Sequence, residues 1–90
     1  MPWDVKLARR AAKALDKVPR EIWRRFERAI DDLADDPYTG DVLPLQGAEW
    51  AGCYRKRVGA SRVIFTLDHT ARVATVVDVL RRSEEAYRRD

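Results

Sequence analysis

The sequence has one cysteine, Cys53, and one histidine, His69, in 90 residues. A single thiol excludes an intrachain disulfide, a thiolate zinc cluster and a CxxC redox pair, and leaves Cys53 an idle thiol by default. Neither a metal nor an organic cofactor is expected. Long apolar runs are missing too: no stretch approaches the roughly 18 residues that span a bilayer. Charges also occupy Met1 to Leu15, where a signal peptide needs its apolar region. The expected address is the cytoplasm, with no membrane partner. Repeats, low-complexity tracts and linkers are absent, so residues 1–90 read as a single domain with one modest core and no room for a cofactor domain.

What is present is a folding composition, 46% hydrophobic and 37% charged, which argues for a packed soluble domain over a disordered tail. The net charge of +3 is unevenly placed. Residues 1–53 carry nine Lys/Arg against ten Asp/Glu, a balance of -1, while residues 54–90 carry nine against five, a balance of +4. A local excess of guanidinium groups favours polyanions, because each phosphate neutralised releases counterions.

Trp3-Asp4-Val5-Lys6-Leu7 alternates apolar and polar residues and predicts a short first strand. From Ala8 the period becomes helical: Ala11, Ala12, Leu15 and Val18 share one side, and Arg9, Arg10, Lys13 and Lys17 the other, so a first helix ends near Lys17. Pro19 suits the first turn of a second helix. Its stripe is Ile22, Phe26, Ala29, Ile30 and Leu33, and it runs to about Asp35, with Asp36-Pro37 as the stop. The short break between the helices implies an antiparallel hairpin facing a common sheet. Residues 37–49, with Pro37, Gly40, Pro44 and Gly47, read as a loop without a regular element. Three strands follow, Gly52 to Val58, Arg62 to Leu67 and Arg72 to Val79, joined by turns too short for anything but antiparallel hairpins. Ser83 to Arg89 predicts a short final helix after a Ser N-cap. The expected fold is α+β, in the order β-α-α-β-β-β with a C-terminal helix, a mainly antiparallel sheet and a helical hairpin on one face.

The helices cover one sheet face and leave the other open. Alternation puts Arg55 and Arg57 on one face of their strand, and Tyr54, Lys56 and Val58 on the opposite, helix-facing one. Lys56 then has to snorkel toward an edge. The run Tyr54-Arg55-Lys56-Arg57-Val58-Gly59-Ala60-Ser61-Arg62-Val63-Ile64-Phe65 resembles the YRxRVGxYRVIY hairpin of the RelE/ParE superfamily of type II toxin–antitoxin toxins. The likeness extends to the Trp3 to Leu15 pattern, the Leu33-x-x-Asp36-Pro37 helix end, the Leu45-x-Gly47 loop and the closing Arg82…Tyr87-Arg88 segment.

The resemblance implies a ribosome-dependent endoribonuclease, a gyrase poison or an inactive relative on one scaffold. Its RNA-cleaving branch surrounds the scissile phosphate with basic residues from adjacent strands and an aromatic near the C-terminus. The matching residues here are Arg55, Arg57, Arg62, Arg82 and Tyr87, with Lys56, Arg81 and Arg88 as further RNA contacts. Such a site supports attack of a ribose 2′-hydroxyl on the adjacent phosphate without a metal, giving a 2′,3′-cyclic phosphate and a free 5′-hydroxyl. Arg55, Arg57 and Arg62 would stabilise the phosphorane-like transition state, Arg82 the leaving-group side, and Tyr87 would stack on or orient a base. Two departures stand out. Some RNA-cleaving relatives have Lys where Arg55 and Arg57 stand, and Arg, with a pKa of ~12.5 or more, is a poor base; positioning and electrostatics would then supply most of the rate, with Lys56 or Tyr87 as candidates for a titratable group. Relatives also often carry His-Arg after the last strand, whereas this chain has Leu80-Arg81-Arg82, so either Arg81 or Arg82 holds the family position, with Arg82 preferred on strand register.

His69, in a turn beside Asp68, reads as a solvated turn residue, and Trp3 and Trp23 read as core. Trp50 stands between packing and partner contact. The implied partners are a cognate antitoxin that wraps the toxin with an acidic, apolar segment, and the ribosome with its messenger RNA. Operator DNA is reached only through the antitoxin complex. The nearest alternative is a ParE-like inhibitor of DNA gyrase without a nuclease site; a third is an inert basic module that only holds RNA or protein.

Overall fold

The computed structural model describes residues 2–80. The helix expected at Ser83–Arg89, and with it Arg81, Arg82, Tyr87 and Arg88, lies outside the described residues. Strand β1 (Asp4–Leu7) leads into helices α1 (Arg9–Asp16) and α2 (Arg20–Asp35). The apolar spacing decides which faces these helices bury: Ala11 and Leu15 of α1, and Phe26, Ala29 and Leu33 of α2. Pro19 takes the N-cap position of α2 at φ -61°, so the helix begins one residue later than proline in the first turn would have it. Asp36 ends it in extended geometry because Pro37 disfavours the α region before it.

The loop over residues 37–49 departs from expectation. It contains a three-residue strand, β2 (Val42–Pro44), antiparallel to β3 (Cys53–Val58), with Val42 opposite Lys56 and Pro44 opposite Tyr54. Proline is admissible there because β2 is the outermost strand, where one N–H per pair faces away from the ladder. A 3₁₀ turn at Ala48–Trp50 then leads back to β3. Strands β4 (Ser61–Asp68) and β5 (Val73–Leu80) follow. The sheet order is β1-β5-β4-β3-β2, with only the β1–β5 pair parallel. The α+β class and the mainly antiparallel sheet are therefore as expected, with one added edge strand.

Both helices pack on one sheet face. Ala11, Leu15, Phe26 and Leu33 meet Val63, Phe65, Val76 and Val79, and Phe26 and Phe65 are fully buried. A register irregularity makes the last two valines possible. Ile64 faces Asp78 while Phe65 faces Val76, so Val77 is the extra residue of a bulge. Residues 76 and 79 would otherwise point to opposite faces, and the bulge turns both inward.

Candidate nucleic-acid interface

The β3–β4 hairpin brings the predicted arginines together. Arg57 lies directly opposite Arg62, and Arg55 opposite Ile64. Directly opposed residues share a face, so Arg55, Arg57 and Arg62 stand on the face away from the helices. The turn that sets this register has Gly59 at φ +60° between the paired Val58 and Ser61. Two like charges opposed across a ladder repel, and a third guanidinium on the same face adds to the cost. The arrangement suits an anion.

One internal anion is already there, and the sequence reading missed it. Asp41 Oδ1 lies 3.5 Å from Arg55 Nη1, and its Oδ2 lies 3.5 Å from Arg57 Nε. The Asp41 carbonyl also accepts the Arg57 backbone N–H at 2.9 Å. Its only sequence signal is an acid just before an apolar pair in a loop, which is too common to single out. The Arg55 side chain is 15% exposed, against 53% for Arg57 and 50% for Asp41. Arg55 Nη1 is buried and makes no hydrogen bond among the described residues.

Lys56 does not join this cluster. It is 5% exposed, on the helix side of β3, and its Nζ donates to the Thr39 carbonyl at 2.8 Å beside Gly40. Expected as an RNA contact, it is placed here by alternation on the inward side, where the ammonium holds the loop. Its ammonium lies on the opposite face of β3 from Arg55 and Arg57. His69 is also remote, since β4 separates it from Arg62 by ~24 Å of strand. Its Nε2 is 2.7 Å from Tyr38 Oη, and its ring meets Trp3 edge-on at 5.4 Å. Partial desolvation, the neighbouring Tyr54 phenol and the Asp36 carboxylate push the half-exposed Tyr38 phenol above its usual value. Trp3 is buried, Trp23 packs on the core, and Trp50 is exposed.

The geometry is that of a basic strand surface on a helix-backed sheet, and the family model described as the ParE toxin of the type II toxin–antitoxin system, parDE, matches residues 5–86. The chain belongs to this toxin family. Solved structures place it within the wider RelE/ParE superfamily. It is 30% identical to a chain of the archaeal RelE–RelB complex from Pyrococcus horikoshii OT3, covering 93% of this chain and 99% of that one at a TM-score of 0.77. It is 25% identical to a chain of the RelBE2 toxin–antitoxin complex of Mycobacterium tuberculosis, covering 91% and 100% at a TM-score of 0.80. The YoeB/ParE toxin of Agrobacterium tumefaciens shares the fold at 13% identity, covering 87% and 96% at a TM-score of 0.75. No curated protein matches the sequence. The type II toxin–antitoxin assignment thus rests on nearly the whole chain. Among the described residues, no helix is long and apolar enough to cross a membrane.

Proposed function

We propose that this toxin is a metal-independent endoribonuclease that cuts messenger RNA on the ribosome in the cytoplasm and is held in check by a cognate antitoxin. The observation that carries the reading is the grouping of Arg55, Arg57 and Arg62 on one open sheet face, with Arg57 directly opposite Arg62. Such a grouping supports charge stabilisation at a phosphate in transfer, where planar guanidinium forks are worth most. Arg82 on the leaving-group side and Tyr87 against a base complete the proposal, with Arg81 and Arg88 as further RNA contacts. The solved toxin–antitoxin complexes of the relatives support the antitoxin partner. Primer extension on a message incubated with purified toxin, with and without programmed ribosomes, tests the activity. Cuts that require ribosomes and vanish in Arg62→Ala are expected; an uncut message from folded protein counts against it.

One observation favours a second reading, a gyrase-binding poison without chemistry of its own. Lys56 faces inward, so no lysine stands beside Arg55 and Arg57 among the described residues. Under that reading growth arrest comes with double-strand DNA breaks and disappears in a host with resistant gyrase.

A further inference from the structure

We infer that Arg55 and Arg57 form a subsite for one phosphate group that the Asp41 carboxylate occupies in the free toxin, so that Asp41 is an internal competitor RNA must displace. The inference rests on the reading of this face as RNA-binding. Four features of the loop and strand support it.

The carboxylate bridges two guanidinium groups, one oxygen to each, as two oxygens of a phosphodiester would. Both contacts are 3.5 Å, longer than the roughly 2.7–2.9 Å of a charge-assisted hydrogen bond. Asp41 therefore neutralises the forks without closing on them, and Arg55 Nη1 is left buried with no hydrogen bond among the described residues. A tetrahedral anion can enter further between the forks than a planar carboxylate tethered to the loop.

The tether makes displacement feasible. The Asp41 backbone is fixed by Arg57 N–H donating to its carbonyl at 2.9 Å. Beneath the loop, Lys56 Nζ holds the Thr39 carbonyl at 2.8 Å. The Asp41 side chain is half exposed, so rotation about its own bonds moves the carboxylate into water with no change of backbone. Arg55, at 15% exposure, stays in place. A held Arg55, an exposed Arg57 that can follow either anion and a swinging carboxylate are what competition for one site requires.

Inorganic phosphate is the probe, titrated into full-length, isotopically labelled toxin while the side-chain Nε–H signals of Arg55 and Arg57 are followed by NMR. One charge removed about 6 Å from a bound phosphate, at an effective dielectric of about 60, gives roughly fivefold tighter binding at low salt. It gives less at physiological salt. Asp41→Asn should show that tightening, and Asp41→Ser should match it if the asparagine variant folds poorly. A midpoint equal to or weaker than wild type in a folded variant overturns the inference, as do Arg55 and Arg57 signals that no phosphate moves. The same proteins are then titrated against a short single-stranded RNA by fluorescence anisotropy. Tighter RNA binding by Asp41→Asn supports both readings. Tighter phosphate binding with no RNA binding by either protein keeps the subsite and defeats the RNA reading.

Discussion

Lys56 shows how one position separates a structural cation from a functional one. Its neighbours Arg55 and Arg57 turn outward, while its own stem lies against the helix face and its ammonium ends on the Thr39 carbonyl. Lys56→Ala removes both the stem packing and the bond, and should cost about 2 kcal/mol in urea unfolding. Lys56→Met restores the stem and should cost about half of that. Both variants should leave the salt dependence of RNA binding unchanged, since the ammonium meets no phosphate; a shallower salt dependence would return Lys56 to the RNA surface. Tyr38 gives a second test at this scale. Its phenol is half exposed and is raised from 10.0 by partial desolvation first, then by Tyr54 and Asp36, so the fold favours the protonated form. That contribution is complete below the unfolded value near 10 and is lost as pH rises through the higher folded value. Absorbance at 295 nm, compared between wild type and Tyr38→Phe, should show the Tyr38 phenol ionising above 10.0 on folded protein. Tyr38→Phe should remove that late step and flatten the alkaline decline in stability.

The β3–β4 hairpin is the element on which the site depends, and its turn is its weakest point. Gly59 has φ +60°, and an added Cβ would meet Arg25 Nη1 at 3.4 Å. Gly59→Ala should therefore cost about 1 kcal/mol, read as a lower midpoint in thermal unfolding, because the residue must enter the left-handed region. An unchanged midpoint would mean that the turn relaxes to another type without consequence. This hairpin was also the part most legible in sequence, since alternation over Tyr54 to Val58 and a glycine turn suffice to put the arginines on one face. The helices were legible from Leu15, Phe26 and Leu33 for the same reason. Strand β2 was not: three residues ending in proline are too few to display a period. Asp41 was hidden with it, because its role depends on the path of the loop across β3. Parity put Lys56 on the helix-facing side, but nothing in the sequence showed that its ammonium would end on the Thr39 carbonyl.

At the scale of the molecule, the sheet divides labour between a face that pays for folding and a face that carries charge. The core against α1 and α2 uses Val63, Phe65, Val76 and Val79, and the bulge at Val77 keeps Val76 and Val79 inward. Arg57 and Arg62 lie on the face away from that packing, so binding through them can be varied with the fold kept. If that face holds RNA, affinity should be set largely by counterion release, with log K falling linearly in log salt by ~0.7 per phosphate contacted on a single strand. One phosphate held by Arg55 and Arg57 together and a second held by Arg62 then give a slope of about -1.4. Arg62→Gln should lower binding across all RNA sequences and make the slope shallower by about 0.7, with unfolding essentially unchanged. A slope that Arg62→Gln leaves intact would mean that Arg62 meets no phosphate. Were the same variant still to arrest growth with chromosome breakage, the open face would be a protein-binding surface and the gyrase reading would take precedence.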